Sequence, residues 1–195
     1  MVQPFIPNDA YARKARSEGY LARSAYKLTA IAEKYGLLKT GDAVLDLGAA
    51  PGSWLQVASE IVGPAGRVVG VDISPIAFHE KNVVARQLDI LSPGLSGVLA
   101  HYGPFDAILS DAAPNTSGIK DRDQALSEEL VERSLELAAT HLAAGGSLVA
   151  KLFQSSETKN LMKRAESMFR QAHLYKPKAS RERSFETYLV CLGKL

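Results

Sequence analysis

The sequence has a single cysteine, Cys191, so no disulfide can close within it. Its four histidines, His79, His101, His141 and His173, show no metal-ligand spacing. No apolar run approaches the ~20 residues of a membrane-spanning helix. The opening MVQPFIPNDA has no charged stretch leading into an apolar one, so no secretory leader is expected. There is no internal repeat and no low-complexity tract. What remains is the balance of an ordinary globular chain: 195 residues, 46% apolar, 23% charged and only 7% aromatic. A chain of this length buries roughly 70% of its unfolded surface and needs no metal or disulfide staple. The expectation is one domain over 1–195, cytoplasmic and monomeric, with no metal, no membrane contact and no DNA partner.

The net charge of +2 conceals a pattern. Residues 1–40 hold seven Lys/Arg against three Asp/Glu, a net of +4. Residues 41–150 hold six against fourteen, a net of −8, and residues 151–195 hold ten against four, a net of +6. Basic ends flank an acidic middle. If folding brings those ends together, they form one face suited to a polyanion. If not, the Lys and Arg simply solvate surface helices.

Hydrophobic spacing predicts an N-terminal helix from about Asp9 to Tyr35, stopped by Gly36. From Ala43 the rhythm changes. AVLDLG, RVVGVD, NVVARQLDI, FDAILSD and GSLVAKLF read as buried strands, and HLYKPK and ETYLVCL as two more. Helical stretches fall at WLQVASEIV, from about Asp121 to Leu142, and from after GSLVAKLF to about Ala172. Strands alternating with helices predict an α/β fold with a mostly parallel sheet covered on both faces. The last two strands leave no room for the crossover a parallel return needs, so the final strand is expected to run antiparallel. Residues 1–40 form a basic helical segment ahead of a core over 41–195.

VLDLGAAPGSW lies between a strand and a helix, where doubly wound sheets bind ligands. The dinucleotide fingerprint is absent, because Ala49-Ala50-Pro51-Gly52 follows Gly48, and so is the phosphate loop of nucleoside triphosphatases. Asp72 ends the second strand and can accept two ribose hydroxyls. Asp89 ends the third and can accept from an exocyclic amine. Either acid alone could equally cap a helix. Taken with the loop, they suit an adenosine-containing ligand without pyrophosphate, for which S-adenosylmethionine is the obvious candidate.

A second group converges on the same sheet edge. Asp111 ends the fourth strand, Lys151 lies near the end of the fifth, and Glu186 begins an antiparallel last strand. Lys27, on the N-terminal helix, could fold over them. Lysine is rarely buried unless paired, so Lys151 inside VAKLF either makes a structural salt bridge or serves chemistry. A buried lysine beside another cation can act as a base, which transfer of a methyl group to a hydroxyl requires.

RSAYKL, VLDLGAAPGSW, SDAAPNTSG, AKLFQ and SRERSFETYLV, in this order and at this spacing, resemble the FtsJ/RrmJ family of RNA ribose 2′-O-methyltransferases, from about Tyr11 to Leu192. The resemblance implies a Rossmann-like, class I S-adenosylmethionine-dependent methyltransferase fold of seven strands with the last antiparallel. It implies a catalytic tetrad at Lys27, Asp111, Lys151 and Glu186, and a cofactor pocket at Gly48, Gly52, Trp54, Asp72, Asp89 and Asp111. The implied activity is in-line transfer to a ribose 2′-hydroxyl with Lys151 as base, on a uridine of large-subunit ribosomal RNA. Arg13, Lys14, Arg16, Arg23, Lys176, Lys178, Arg181 and Arg183 would then grip phosphates. Family members often carry arginine where this chain has Leu21, which removes one phosphate contact. Three alternatives stay open: the same chemistry on tRNA or another RNA, a non-catalytic RNA-binding or ribosome-assembly factor that kept the fold, and a small-molecule methyltransferase, whose rim should be apolar and lidded rather than flanked by Arg and Lys.

Overall fold

The computed structural model describes residues 10–114, 117–180 and 184–195. Arg181 and Arg183 therefore lie outside the described residues, as does Asp9. The elements in chain order are α1 (Ala10–Ser17), α2 (Ala25–Tyr35), β1 (Ala43–Leu47), α3 (Ser53–Val62), β2 (Arg67–Asp72), β3 (Val83–Gln87), α4 (Leu95–Leu99), β4 (Phe105–Ser110), α5 (Lys120–His141), β5 (Leu142–Phe153), α6 (Thr158–Met168), β6 (Phe169–Tyr175) and β7 (Glu186–Lys194). One sheet runs in the order β3-β2-β1-β4-β5-β7-β6. β1 to β5 pair in parallel. β7 inserts between β5 and β6, antiparallel to both.

Several boundaries differ from the sequence expectation; β5, for one, begins at Leu142 rather than Gly146. The N-terminal helix is two helices. Gly19 sits at φ +81°, and the Tyr20 N–H reaches back to the Ala15 carbonyl at 2.9 Å, the closure that ends a helix on a left-handed glycine. Gln56 of α3 then holds the break, accepting the Leu21 N–H at 2.8 Å and donating to the Gly19 carbonyl at 3.1 Å. Gly36 ends α2 in the same way, at φ 60° with the Leu37 N–H on the Ala32 carbonyl. The helix after β5 stops at Met168 rather than near Ala172, and β6 starts at once. The third strand ends at Gln87, two residues short of Asp89, and the short α4 follows it.

Strand periodicity sorts the core into two layers. Leu45 and Leu47 point to the side of α4, α5 and α6, with Leu95, Leu99, Val131, Leu135 and Leu161. Val44 points to the side of α2 and α3, with Leu28, Ile31, Leu55 and Val57. Burying each such side chain contributes roughly 1.5–3 kcal/mol. Leu28 is fully enclosed. Its truncation to Ala would cost about 2–5 kcal/mol and loosen the helix that carries Lys27. Among the described residues, no helix is long and apolar enough to cross a membrane, and no group of three His, Cys, Asp or Glu could hold a metal ion.

Candidate active site

The parallel strands deliver their carboxyl ends to one edge of the sheet, and a cavity of about 530 Å3 opens there. Gly48, Asp72, Asp89 and Asp111 all line it, with Ile73, Ile90, Leu91 and Leu130 as apolar walls. Gly48 has to be glycine: its φ is +74°, and a Cβ would stand 2.5 Å from Ala112 Cα. Its absence lets the loop after β1 lie against the loop after β4.

The carboxylates differ in their occupancy. Asp72 accepts the Ala50 N–H at 2.9 Å on Oδ2 and the Ser74 N–H at 2.7 Å on Oδ1. Asp89 accepts the Leu91 N–H at 2.9 Å on Oδ1. A carboxylate has about four lone-pair positions, so both retain acceptor capacity toward the cavity. Asp46, one strand position before Leu47, is fully buried, and neither carboxyl oxygen has a hydrogen-bond partner among the described residues. Burial, and then the charges of Asp111 and Asp72, push its carboxyl well above the usual range.

Gly52 and Trp54 are not among the residues lining this cavity. Gly52 has φ +123°, and a Cβ there would meet Phe78 Cβ at 2.4 Å, so its place is a tight approach beside the pocket. Trp54 is buried; its indole N–H donates to the Ser24 carbonyl at 2.9 Å, and its ring lies 5.8 Å from that of Tyr188. It therefore ties the start of α2 to α3 and supports Tyr188 from behind.

The four residues predicted to act together do meet. Lys151 Nζ donates to the Asp111 carbonyl at 2.5 Å and to Asp111 Oδ1 at 3.0 Å. Lys27 Nζ pairs with Glu186 Oε1. Each of the four side chains is between 9% and 16% exposed, enough to be reached from the edge while largely shielded from water. The sheet register explains the meeting: Lys151 is opposite Tyr188, and Phe153 is opposite Glu186.

Tyr188 is the member that sequence reasoning missed. Its hydroxyl lies 2.8 Å from Asp111 Oδ1 and 3.2 Å from Glu186 Oε1, bridging the two ion pairs. Burial and the two carboxylates drive its phenol well above the ordinary value, so it stays protonated. The signal was available, because Glu186 and Tyr188 are two apart on a strand and share a face.

The two basic ends also meet. The Arg23 guanidinium donates to the Ala179 carbonyl and stands 5.7 Å from the Tyr11 ring. Arg13, Lys14 and Arg16 are exposed on α1; Lys14 lies 3.8 Å from Glu18 and 4.7 Å from the Tyr26 ring. Lys176 and Lys178 are exposed on the loop after β6. The geometry gathers two lysines, two carboxylates and a phenol into one network, joined through Asp111 to a cavity walled by acids, beside a basic surface. Such a group can hold an acceptor hydroxyl and move its proton.

Known proteins resemble the chain throughout. The model of the FtsJ-like methyltransferase family matches residues 20–194. The ribosomal RNA large subunit methyltransferase E of Syntrophobacter fumaroxidans is 48% identical over 188 residues, covering 95% of each chain. A crystal structure from Plasmodium falciparum described as a ribosomal RNA methyltransferase superposes with a TM-score of 0.78 at 32% identity, covering 90% of this chain and 99% of that one. The fibrillarin of Aeropyrum pernix, solved with natively bound S-adenosyl-L-methionine, shares the fold alone, with a TM-score of 0.63 at 19% identity over 87% of this chain and 76% of that one.

Proposed function

The chain belongs to the FtsJ-like methyltransferase family, and from that premise we propose that it methylates a ribose 2′-hydroxyl in RNA, a uridine of large-subunit ribosomal RNA, using S-adenosylmethionine. The observation that carries the reading is the Lys151–Asp111 pair at the rim of the 530 Å3 cavity. When bound, S-adenosylmethionine supplies an electrophilic methyl group on a sulfonium.

The residues present fit that ligand. The lone pairs Asp72 keeps after taking two backbone N–H groups suit ribose hydroxyls. Asp89 suits an exocyclic amine, and Ile73, Ile90 and Leu91 suit the faces of an adenine. Gly48 lets the loop after β1 close against Ala112, which shapes this wall of the cavity. Asp111 places a negative charge where a sulfonium is favoured, and it orients Lys151 through both its carbonyl and its carboxylate.

Lys151 would steer and take the proton of the 2′-hydroxyl, readying that oxygen for the methyl group that bound S-adenosylmethionine would supply. Lys27 and Glu186 position the ribose, held to Asp111 through the Tyr188 hydroxyl. Alignment of the acceptor oxygen in a rim this well braced can supply ~7–11 kcal/mol of the barrier reduction. Arg13, Lys14, Arg16, Arg23, Lys176 and Lys178 bind phosphates of the RNA backbone, the role the sequence also assigns to Arg181 and Arg183.

The test offers labelled S-adenosylmethionine with unmodified large ribosomal subunits, free ribosomal RNA or tRNA. Label on subunits in an alkali-resistant linkage is expected, since a 2′-O-methyl group blocks backbone cleavage. Label on tRNA alone would overturn the substrate and leave the chemistry standing.

A further inference from the structure

The edge that carries Lys151 also carries a phenylalanine in solvent. Phe185 is 66% exposed and immediately precedes Glu186. Its backbone is pinned. The Phe185 carbonyl accepts the Gln154 N–H at 3.2 Å, and Lys176 Nζ donates to the preceding Ser184 carbonyl at 2.8 Å. The Glu186 N–H donates to Ser184 Oγ at 3.1 Å. A rigid backbone thus presents an unburied ring, which costs apolar exposure without any return inside the fold.

Lys120, at the start of α5, places its ammonium 5.5 Å from the centre of that ring. Phe185, Lys120, Gln124, Phe153 and Ser184 enclose a depression of about 310 Å3, with Asp123 and Gly118 completing its wall. The Asp123 carboxylate is already engaged by the Ser117 N–H and hydroxyl and the Gly118 N–H. The depression shares no lining residue with the larger cavity, so it is not part of the cofactor pocket. Phe185 stands one residue before β7 and three positions from Tyr188, the residue opposite Lys151, at least roughly 10 Å away at strand rise and, at that odd offset, on the α5 side of the same sheet edge. At ~3.4 Å per stacked nucleotide, that is two to three nucleotides along an RNA strand.

We infer that Phe185 and Lys120 form a seat for an unpaired base flanking the methylated nucleotide, the base stacking on the ring and Lys120 answering the adjoining phosphate. The inference rests on the reading that the substrate is RNA. A flat aromatic beside a cation is the recurring platform for single-stranded nucleic acid, and it accepts any base because every base has a π-face. Its role is therefore to hold the strand's position over Lys151 rather than to read sequence. Phe185 is a positioning residue and touches neither the cofactor nor the reacting atoms.

Two measurements test this. In steady-state methyl transfer to unmodified large subunits, Phe185→Ala should raise KM for the subunit by roughly five- to hundred-fold, the range base–aromatic stacking spans. Cofactor affinity should stay unchanged, and Phe185→Tyr should restore KM. Lys120→Ala should raise KM less, and chiefly at low salt. Separately, Phe185→Trp adds an exposed indole to a chain whose one tryptophan, Trp54, is buried. Single-stranded RNA should quench that indole saturably, and duplex RNA should not. If the parent methylates subunits and Phe185→Ala leaves KM as it was, the seat is overturned while the activity stands. If no RNA is methylated yet the indole is quenched, the seat stands and the proposed substrate falls. Absence of quenching overturns the seat whatever the activity.

Discussion

The Tyr188 hydroxyl sits 2.8 Å from Asp111 Oδ1, inside a fully buried ring environment. A phenol has one proton to give, and this one lies between Asp111 and Glu186, so it couples the Lys151–Asp111 pair to the Lys27–Glu186 pair. The rim is thus one connected network whose strands are held in register by β5 and β7.

Removing only that hydroxyl tests the coupling. Tyr188→Phe keeps the ring against Trp54 and withdraws a hydrogen bond to a charged group, a loss of about 1.5–3 kcal/mol. The denaturant midpoint should fall accordingly, kcat should drop by roughly ten-fold or more for a loss of this size in the transition state, and cofactor affinity should hold. An unchanged kcat would show that the two pairs act separately.

Asp46 predicts a pH dependence. Its carboxyl is held well above the usual range in the folded chain, whereas unfolded it titrates near ~3.9. The folded state therefore keeps a proton that the unfolded state releases. That contribution is fully present below the unfolded value and is lost as pH rises toward the folded one. Asp46→Asn has no such proton to lose. Between pH 5 and pH 8 its urea midpoint should fall less than the parent's; parallel slopes would contradict the assignment.

Gly48 and Gly19 separate crowding from backbone strain. Both have positive φ, but a Cβ at Gly48 meets Ala112 backbone while one at Gly19 meets nothing within 4 Å. Gly19→Ala should cost about 1–2 kcal/mol from conformation alone. Gly48→Ala should cost more and also weaken cofactor binding, because the loops after β1 and β4 must part. Equal losses, with cofactor affinity intact, would remove Gly48 from the pocket.

Burial pushes the Cys191 thiol up to about 12. Almost no thiolate exists at pH 8, so iodoacetamide should leave the native protein unlabelled and react once it is unfolded. Rapid native labelling would mean that β7 opens locally.

Much of this was legible in the sequence. Apolar runs ending in Asp72 and Asp111, and a last strand too close to its predecessor for a crossover, were enough to bring Asp111, Lys151 and Glu186 to one edge. The break at Gly19 carries the same glycine signal as the stop at Gly36, but the residue that holds it, Gln56, is distant in sequence. The early start of β6 was hidden because Arg170 and Gln171 are polar and exposed, a pattern equally suited to a helix end. Trp54 reads as a pocket residue from its motif, yet burial against Tyr188 makes it a support. Sequence reasoning passes over Tyr188, although its place two residues after Glu186 puts both on one strand face; the β5–β7 register then sets its hydroxyl beside Asp111.

The most direct measurement is single-turnover methyl transfer to unmodified large subunits, comparing the parent with Lys151→Ala and digesting the RNA to nucleosides. The account predicts a 2′-O-methylated uridine from the parent and none from Lys151→Ala, with cofactor binding retained by both. A 2′-O-methylated product from Lys151→Ala at the parent's rate, or a base-methylated product from the parent, would contradict it.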